Sequence, residues 1–379
     1  MKITKGLSAL TTALFLFTLP ATADEAPPET FEAFDSFVES VRDENNIPGL
    51  SVAIIRGGET VHAKGFGFAD VATGRSMTAD TPINIASISK PILGIVLLQM
   101  RDRGLVDLDT NINSYLPFKV DNPHVTGEVI TLRHLATHTS GIADYYDEAD
   151  YAPGTDSPLA LTDYLSLFLL PGGPRYDGGA HYLEAAPGEV REYSNPGAGV
   201  AGAVAEAVGR APLAALAHDG IFRPLGMENT AWRIADFPPN QLTMGYQEAD
   251  GTLEAHPPFG NPNYPDGGVF SSARDMARLM EVLLNGGRYT GGVLLSEESF
   301  TVMFRLQLSA DISKGQRFFW RDRDGLTGHM GSDTGVFTAF YFDRETGNGL
   351  IILMNRSADK ATGAAMKQIA AEIRQRYFQ

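Results

Sequence analysis

The sequence of 379 residues contains no cysteine. This absence excludes a disulfide framework, a lipidated cysteine and thiolate catalysis. Two signatures are also missing: Gly-x-Ser-x-Gly, which places a serine on a sharp strand-to-helix turn, and His-Glu-x-x-His, which binds zinc. No other spacing of histidines and carboxylates is typical of a metal centre, so we predict no metal site.

Basic residues are scarce. The chain has 30 lysines and arginines and 46 aspartates and glutamates, which give a formal net charge of −16. Residues 1–23 hold two of the basic residues and none of the acidic ones, which leaves −18 on the rest of the chain. This excess of negative charge argues against nucleic acid or an anionic membrane surface as a partner.

Long apolar runs are scarce too, and the clearest one lies at the N-terminus. Lys2 and Lys5 precede an apolar run over 9–19, which is followed by the small residues of Ala21-Thr-Ala23. This order predicts a signal peptide over 1–23 that is cleaved after Ala23; the alternative is an N-terminal anchor helix. A disulfide-free exported protein fits a bacterial periplasm or secretion beyond it, with no membrane insertion after cleavage.

Strand-like segments lie at both ends of the chain, and the middle is mainly helical. The predicted strands cover residues 51–56, 60–69, 335–342 and 349–354. Amphipathic helices are predicted over 29–45 and 362–377. We therefore predict an α+β fold (an α/β sandwich) in which an antiparallel sheet from both chain ends is flanked by terminal helices and carries an inserted helical domain.

The predicted boundaries follow from this layout. One domain would span 24–379, with a sheet subdomain over about 29–75 and 320–379 and a helical subdomain over about 80–315. Within the helical part, helices are predicted over 131–142, near 160–170, over 198–208 and over 272–285.

The segment 143–190 has mixed composition, and we predict that it covers the surface or shapes a pocket. Its acidic and tyrosine-rich piece, Asp144 to Tyr151, lacks the spacing of a calcium loop and is predicted to be a solvated face.

The stretch around Ser87 combines Ser-x-x-Lys with an apolar run. A helix would bring Ser87 and Lys90 onto one face, and Pro91 predicts that the helix begins near Ser87. The run that follows is apolar on nearly all sides and predicts a buried core helix. A buried lysine at a helix N-terminus releases its proton more readily and could activate the Ser87 hydroxyl. The alternative is a helix with a polar first turn and no catalytic role.

Two more stretches add to this motif. They are Tyr193-Ser-Asn195, ahead of the small-residue helix, and His329-x-Gly331, beside the C-terminal strands. In this order the three motifs resemble serine hydrolases of the class C β-lactamase and penicillin-binding-protein type. Flanking segments of the sequence also resemble this family. They are Thr131-Leu-Arg-His-Leu, Thr137-His-Thr-Ser-Gly, Pro187-Gly and Gly267-Gly…Ser-Ser-Ala-Arg-Asp275. The resemblance covers roughly residues 30–375.

The resemblance implies a role for each motif residue. Ser87 would attack a carbonyl and become acylated, Lys90 would take or shuttle its proton, and Tyr193 would be a second proton relay. Asn195 would bind Lys90 or the substrate amide.

The resemblance also implies an oxyanion hole. The backbone N–H groups of Ser87 and of Ser332, the residue after His329-x-Gly331, would supply its donors. Taken singly, Tyr193 is more typical of a core, Asn195 could belong to a turn, and His329 could be structural. His134 and His138 are interpreted as structural.

One departure limits the implied substrate. Most β-lactamases and penicillin-binding proteins carry Lys-Thr-Gly where this chain has His329-Met-Gly331. Histidine is mostly uncharged near neutral pH, so firm recognition of a substrate carboxylate is not expected. Family members with His-x-Gly resemble esterases, D-amino-acid peptidases and amidases. Ala198 also replaces an aromatic residue common after Tyr-x-Asn, which could widen the pocket.

We therefore predict a hydrolase that cleaves a small ester, amide or peptide substrate without a cofactor. Two alternatives stay open. One is a catalytically silent module of the penicillin-binding-protein type that binds cell-wall peptides, and the other is a weak β-lactamase.

Overall fold

The computed structural model describes residues 30–378, so the predicted signal peptide over 1–23 lies outside them. The α-helices of the described residues are α1 (Glu32–Glu44), α2 (Ser89–Asp102), α3 (Leu132–Ala136), α4 (Leu161–Leu169), α5 (Asn195–Gly209), α6 (Leu213–Ala217), α7 (Ala273–Leu284), α8 (Glu297–Phe304) and α9 (Lys360–Tyr377).

A seven-stranded sheet is the centre of the fold. Its strands are β1 (Gly49–Arg56), β2 (Glu59–Asp70), β3 (Arg75–Ser76), β4 (Arg321–Arg323), β5 (Leu326–Asp333), β6 (Val336–Asp343) and β7 (Asn348–Met354). The spatial order is β4-β5-β6-β7-β1-β2-β3, and every neighbouring pair is antiparallel. Strands from the two chain ends meet at the β7–β1 pair, as the sequence predicted.

Helices cover both faces of this sheet, which is why its central strands are apolar on both sides. Alternate residues of a strand point to opposite faces. Val52 and Ile54 of β1 belong to the core beneath α1 and α9, whereas Ala53 and Ile55 belong to the larger core shared with the internal helices. The predicted α+β sandwich with terminal helices on one face is confirmed; its division into two subdomains stays a prediction.

Helix α2 runs through the larger core, and its residues from Ser89 to Leu98 are all buried. The sequence placed the start of this helix near Ser87. In the structure a 3-10 turn over Ala86–Ile88 precedes it, so Ser87 lies just ahead of the first α-helical turn.

The helix predicted over 131–142 is much shorter, because α3 ends at Ala136. His138, two residues later, has a left-handed backbone (φ 58°), which a continuing right-handed helix cannot contain.

No single helix among the described residues has both the length and the apolarity to span a membrane. One bent pair, Asn195–Gly209 with Leu213–Phe222 at 77°, meets the length and composition criteria only when the two helices are taken together.

Candidate active site

A tight turn presents Ser87 at the head of α2. The side-chain oxygen of Asn84 accepts from the Ala86 backbone N–H at 2.7 Å, and the Asn84 amide donates to the Gly267 carbonyl at 3.1 Å. Ala86 has φ 48°, a left-handed conformation that is uncommon for residues other than glycine. These contacts turn the chain sharply before the 3-10 turn and leave the side chain of Ser87 only partly buried.

Lys90 and Tyr193 both contact the Ser87 hydroxyl. The Lys90 Nζ lies 3.1 Å from Ser87 Oγ, and the Tyr193 hydroxyl lies 2.9 Å from the same atom. The Lys90 Nζ also lies 4.8 Å from the centre of the Tyr193 ring. Residues 106 positions apart in sequence thus meet at one oxygen, and an amine and a phenol flank a single hydroxyl.

Lys90 is fully buried and makes two further hydrogen bonds. Its amine donates to Asn195 Oδ1 and to the Asp266 carbonyl oxygen, each at 2.7 Å. A charged lysine amine has three N–H donors, which match its three acceptors. In the neutral form, two hydrogens would keep Asn195 and Asp266 while the lone pair faces Ser87 Oγ. The predicted contact between Asn195 and Lys90 is present in the structure.

The small residues of α5 let the Asp266 loop approach this site. A Cβ on Gly199 would lie 1.8 Å from Asn263 Oδ1, and one on Gly202 would lie 2.4 Å from Pro265 Cγ. Side chains at either position would push this loop away from α5, and with it the carbonyl that Lys90 binds.

Asn263 and Asp266 also belong to this site, although no sequence motif predicted them. Asn263 Nδ2 donates to the Asn195 carbonyl at 2.8 Å and to Asp266 Oδ2 at 2.7 Å. Asn263 therefore links the two residues that accept from Lys90. The row of small residues over 198–208 is a signal in the sequence that could have indicated a closely packed neighbour, but it does not identify that neighbour.

Strand β5 brings His329, Gly331 and Ser332 to the other side of Ser87. A Cβ on Gly331 would lie 2.3 Å from both the Ile85 carbonyl oxygen and Thr338 Oγ1, so only glycine lets β5 pack this closely on the Ser87 turn. Ser87 and Ser332 line the same cavities. This placement is consistent with their predicted role as oxyanion-hole donors, which stays a prediction.

His329 carries no charge at neutral pH. Burial and the nearby charge of Lys90 lower the pKa of His329 to about 3, and its Nδ1 lies 2.6 Å from the Met330 carbonyl oxygen. The residue that replaces the usual lysine therefore supplies no cation for a substrate carboxylate.

Two cavities that differ in net charge open beside Ser87. The first, the arginine cavity, has a volume of about 560 Å³; its lining includes Arg191, Arg321, Arg323 and His329, with one carboxylate, Asp322. The second, the acidic cavity, has a volume of about 260 Å³; its lining includes Tyr146, Glu148, Tyr151, Asp266 and Asp333.

The piece from Asp144 to Tyr151 lies at the acidic cavity. Asp144, Tyr146, Asp147 and Glu148 are exposed, as predicted for a solvated face, and Tyr146, Glu148 and Tyr151 also line this cavity. Asp144 accepts from the Asn195 backbone N–H at 2.8 Å, at the first residue of α5. The reason is tertiary: the loop folds over the N-terminus of α5, which sequence spacing does not reveal.

Two carboxyl groups of the acidic cavity have shifted pKa values. Burial raises the pKa of Asp266 to about 7, and the charge of Lys90 opposes this rise. Burial likewise raises the pKa of Asp333 to about 6, opposed by a hydrogen bond of 2.8 Å from the Thr334 backbone N–H. The negative charge of the acidic cavity therefore increases as the pH rises from acid values toward neutrality.

We expect Asp333→Asn to change how stability depends on pH. The pKa of Asp333 is about 6 when folded and about 3.9 when unfolded, so its burial destabilises the fold increasingly as pH rises from about 4 to about 6. Asparagine has no charge to bury, and its amide oxygen can still accept from Thr334. The Tm difference, variant minus wild type, should be more positive at neutral pH than at acid pH. Equal differences in thermal unfolding at the two pH values would contradict this assignment.

Among residues 30–378, no group of three or more histidine, aspartate or glutamate side chains is arranged to hold a metal ion. The chemistry that the site can perform with its own side chains is nucleophilic attack by a hydroxyl, with an amine and a phenol in position to move its proton.

Comparison with known proteins places this geometry in a family. Residues 34–375 match the family model described as Beta-lactamase. Esterase EstB of Burkholderia gladioli is 29% identical over 276 residues, which cover 66% of this chain and 69% of the esterase. Protein flp of Staphylococcus aureus strain MW2 is 22% identical over 330 residues, 86% of this chain. The match covers 64% of flp, so the chain spans less than two thirds of that relative's length.

Solved structures show the same fold. The D-amino acid amidase from Ochrobactrum anthropi SV3, solved in complex with D-phenylalanine, superposes with a TM-score of 0.70 at 21% identity. The superposition covers 90% of this chain and 99% of the amidase chain.

Proposed function

This chain belongs to the β-lactamase family, and we propose that it is a serine hydrolase that forms an acyl-enzyme on Ser87. The observation that carries the proposal is the double contact on one oxygen: the Lys90 amine at 3.1 Å and the Tyr193 hydroxyl at 2.9 Å from Ser87 Oγ. Both distances are within the reach required for proton transfer.

The proposed reaction has two halves. Ser87 Oγ attacks the substrate carbonyl carbon, and its proton passes to Lys90 or through Tyr193. The carbonyl oxygen becomes an oxyanion, which the backbone N–H groups of Ser87 and Ser332 would bind. The bond to the leaving alcohol or amine then breaks, and the leaving group takes the proton. In the second half, water attacks the acyl-enzyme along the same proton route and regenerates the serine.

We propose an ester or amide as the substrate, with esterase or D-amino-acid peptidase activity ahead of β-lactamase activity. An uncharged His329 in place of a lysine supports this order, because a permanent cation for the carboxylate of a β-lactam is missing from that position. The similarity to EstB and to a D-amino acid amidase is consistent with it.

We also propose that the mature protein acts in the periplasm or beyond it. The proposal depends on the signal-peptide pattern over residues 1–23 and on the absence of cysteine. Detection of the mature N-terminus at Asp24 in a periplasmic or culture fraction would test it, whereas an uncleaved chain in the membrane fraction would favour the anchor helix.

A substrate panel tests the proposed activity. We expect the wild-type chain to hydrolyse short p-nitrophenyl esters with a kcat/KM about 100-fold above that for a cephalosporin, because a lost charge-assisted hydrogen bond costs roughly 2–3 kcal/mol. D-alanyl peptides and D-amino acid amides complete the panel. Turnover of the cephalosporin at the rate of the esters would favour the β-lactamase instead.

The silent binding module predicts a different result. It requires no turnover of any panel member and no labelling of Ser87 by a fluorophosphonate, together with binding of a cell-wall peptide. The contact of Ser87 with both Lys90 and Tyr193 argues against it, because binding alone needs neither proton carrier.

A further inference from the structure

His138 holds the residues on either side of Tyr193. The side chain is 3% exposed, and its ring lies 4.4 Å from the Tyr193 ring at an angle of 34°. The His138 carbonyl accepts from the Glu192 backbone N–H at 2.9 Å, and its Nδ1 accepts from the Ser194 backbone N–H at 3.2 Å. Three contacts thus connect one residue to three consecutive residues with Tyr193 at their centre.

The ring of His138 is itself held in place. It also meets Phe319, with ring centres 6.0 Å apart and nearly perpendicular. The Phe319 backbone N–H donates to the Ala136 carbonyl at 2.9 Å, which ties this neighbour to the end of α3. His138 is therefore a fixed support rather than a freely moving side chain.

The hydrogen bond to Ser194 defines the protonation of the ring. Because Nδ1 accepts, it carries no proton, and the neutral ring has its hydrogen on Nε2. Burial and the charges of Lys90 and Arg191 keep the pKa of His138 well below its ordinary value, which agrees with a neutral acceptor. Without an acceptor the Ser194 N–H would be buried and unpaired, which the local chain would relieve by moving.

We propose that His138 is a positioning residue that sets the placement of the Tyr193 hydroxyl on Ser87. The inference goes beyond the structural role given to His138 in the sequence analysis, and it rests on the proposed function. His138 acts through Tyr193 and not on the substrate. A displacement of about 1 Å at such a contact lowers rates by roughly 100-fold.

Two variants separate the side-chain contacts from the backbone geometry. The left-handed backbone of His138 (φ 58°) suits asparagine and glycine, so both substitutions fit the local conformation. The Oδ1 of asparagine is bonded to Cγ, as is Nδ1 of histidine, so His138→Asn keeps an acceptor for Ser194. His138→Gly removes the acceptor and the ring. His134→Asn is a matched control, because His134 lies on α3 four residues before His138 and lines neither cavity.

We expect His138→Gly to lower kcat for p-nitrophenyl acetate by about 30-fold with little change in KM, since misplacement affects the chemical step more than binding. His138→Asn should retain kcat within about 5-fold, and His134→Asn within about 2-fold. In a Tyr193→Phe background, His138→Gly should add less than about 3-fold, because the hydroxyl that it positions is gone.

Three results would overturn the proposal. They are an unchanged kcat in His138→Gly, equal losses in the glycine and asparagine variants, or an undiminished loss in the Tyr193→Phe background. A second measurement does not require turnover: the ring signals of ¹³C-labelled Tyr193 should move in His138→Gly and stay in place in His134→Asn. If no ester is hydrolysed by the wild type, the proposed function fails, and these signals still decide whether His138 places Tyr193.

Discussion

Ser87→Ala is expected to lower kcat for p-nitrophenyl ester hydrolysis by about 10⁴-fold or more, the loss seen when a serine nucleophile is removed. The reason is geometric, because the Lys90 amine and the Tyr193 hydroxyl both contact Ser87 Oγ, the atom that alanine lacks. The measurements are steady-state kinetics and fluorophosphonate labelling with mass-spectrometric assignment of the labelled peptide.

Ser89→Ala is the matched control for this change. Ser89 is fully buried, and its hydroxyl donates to the Ala86 carbonyl at 2.7 Å and accepts from the Val269 backbone N–H at 3.0 Å. Its loss should lower Tm through two lost hydrogen bonds, each about 1 kcal/mol, while Ser87 remains labelled. A Ser87→Ala chain that keeps kcat within tenfold of the wild type would remove Ser87 as the nucleophile.

Lys90→Met is expected to lower kcat by about 10³–10⁴-fold while the chain still folds, because the change removes a proton carrier from the reacting oxygen. Methionine is close to lysine in length and suits a fully buried position in α2. It leaves Asn195 Oδ1 and the Asp266 carbonyl without their N–H donor, which costs roughly 1–3 kcal/mol for each acceptor. Removal of a buried amine offsets part of this cost.

Lys64→Met is the control for the lysine substitution. Lys64 lies on β2 and donates to Asp35 at 2.7 Å, and its side chain is partly exposed. Its substitution should leave kcat unchanged and have a small effect on Tm, because exposed ion pairs contribute about 1 kcal/mol or less. If Lys90→Met retained the kcat of the wild type, Tyr193 alone would have to carry the proton, and the role proposed for Lys90 would be wrong.

The local patterns of the sequence predicted much of the fold. Short apolar runs bounded by turn residues marked β1, β6 and β7, and helical spacing marked α1 and α9 to within a few residues of their observed bounds. These patterns are readable because each depends on residues a few positions apart in one segment. Where a helix end depended on one left-handed residue, as at His138, the prediction ran several residues too far.

The candidate site was partly predictable for a different reason. Ser87 and Lys90 share one helical turn, so their contact follows from local geometry. The meeting of Tyr193 and Asn195 with them was inferred from resemblance, and the structure brings all four residues together. His138 was interpreted as structural from its helix-end motif. Its hydrogen bond to Ser194 connects segments 56 residues apart, and the sequence of neither segment predicts it.

The sequence by itself determined the charge of the protein, the absence of thiol chemistry, the strands at both ends and the Ser-x-x-Lys pair. Tertiary structure alone decided that the Asp266 carbonyl binds Lys90, that the loop from Asp144 lines a cavity, and that the two cavities beside Ser87 differ in sign. The physical reason is that these features depend on how closely irregular loops approach helices. That distance depends on small residues such as Gly199 and Gly331 and on the shape of their packing partners, whereas secondary structure depends on the spacing of side chains along one segment.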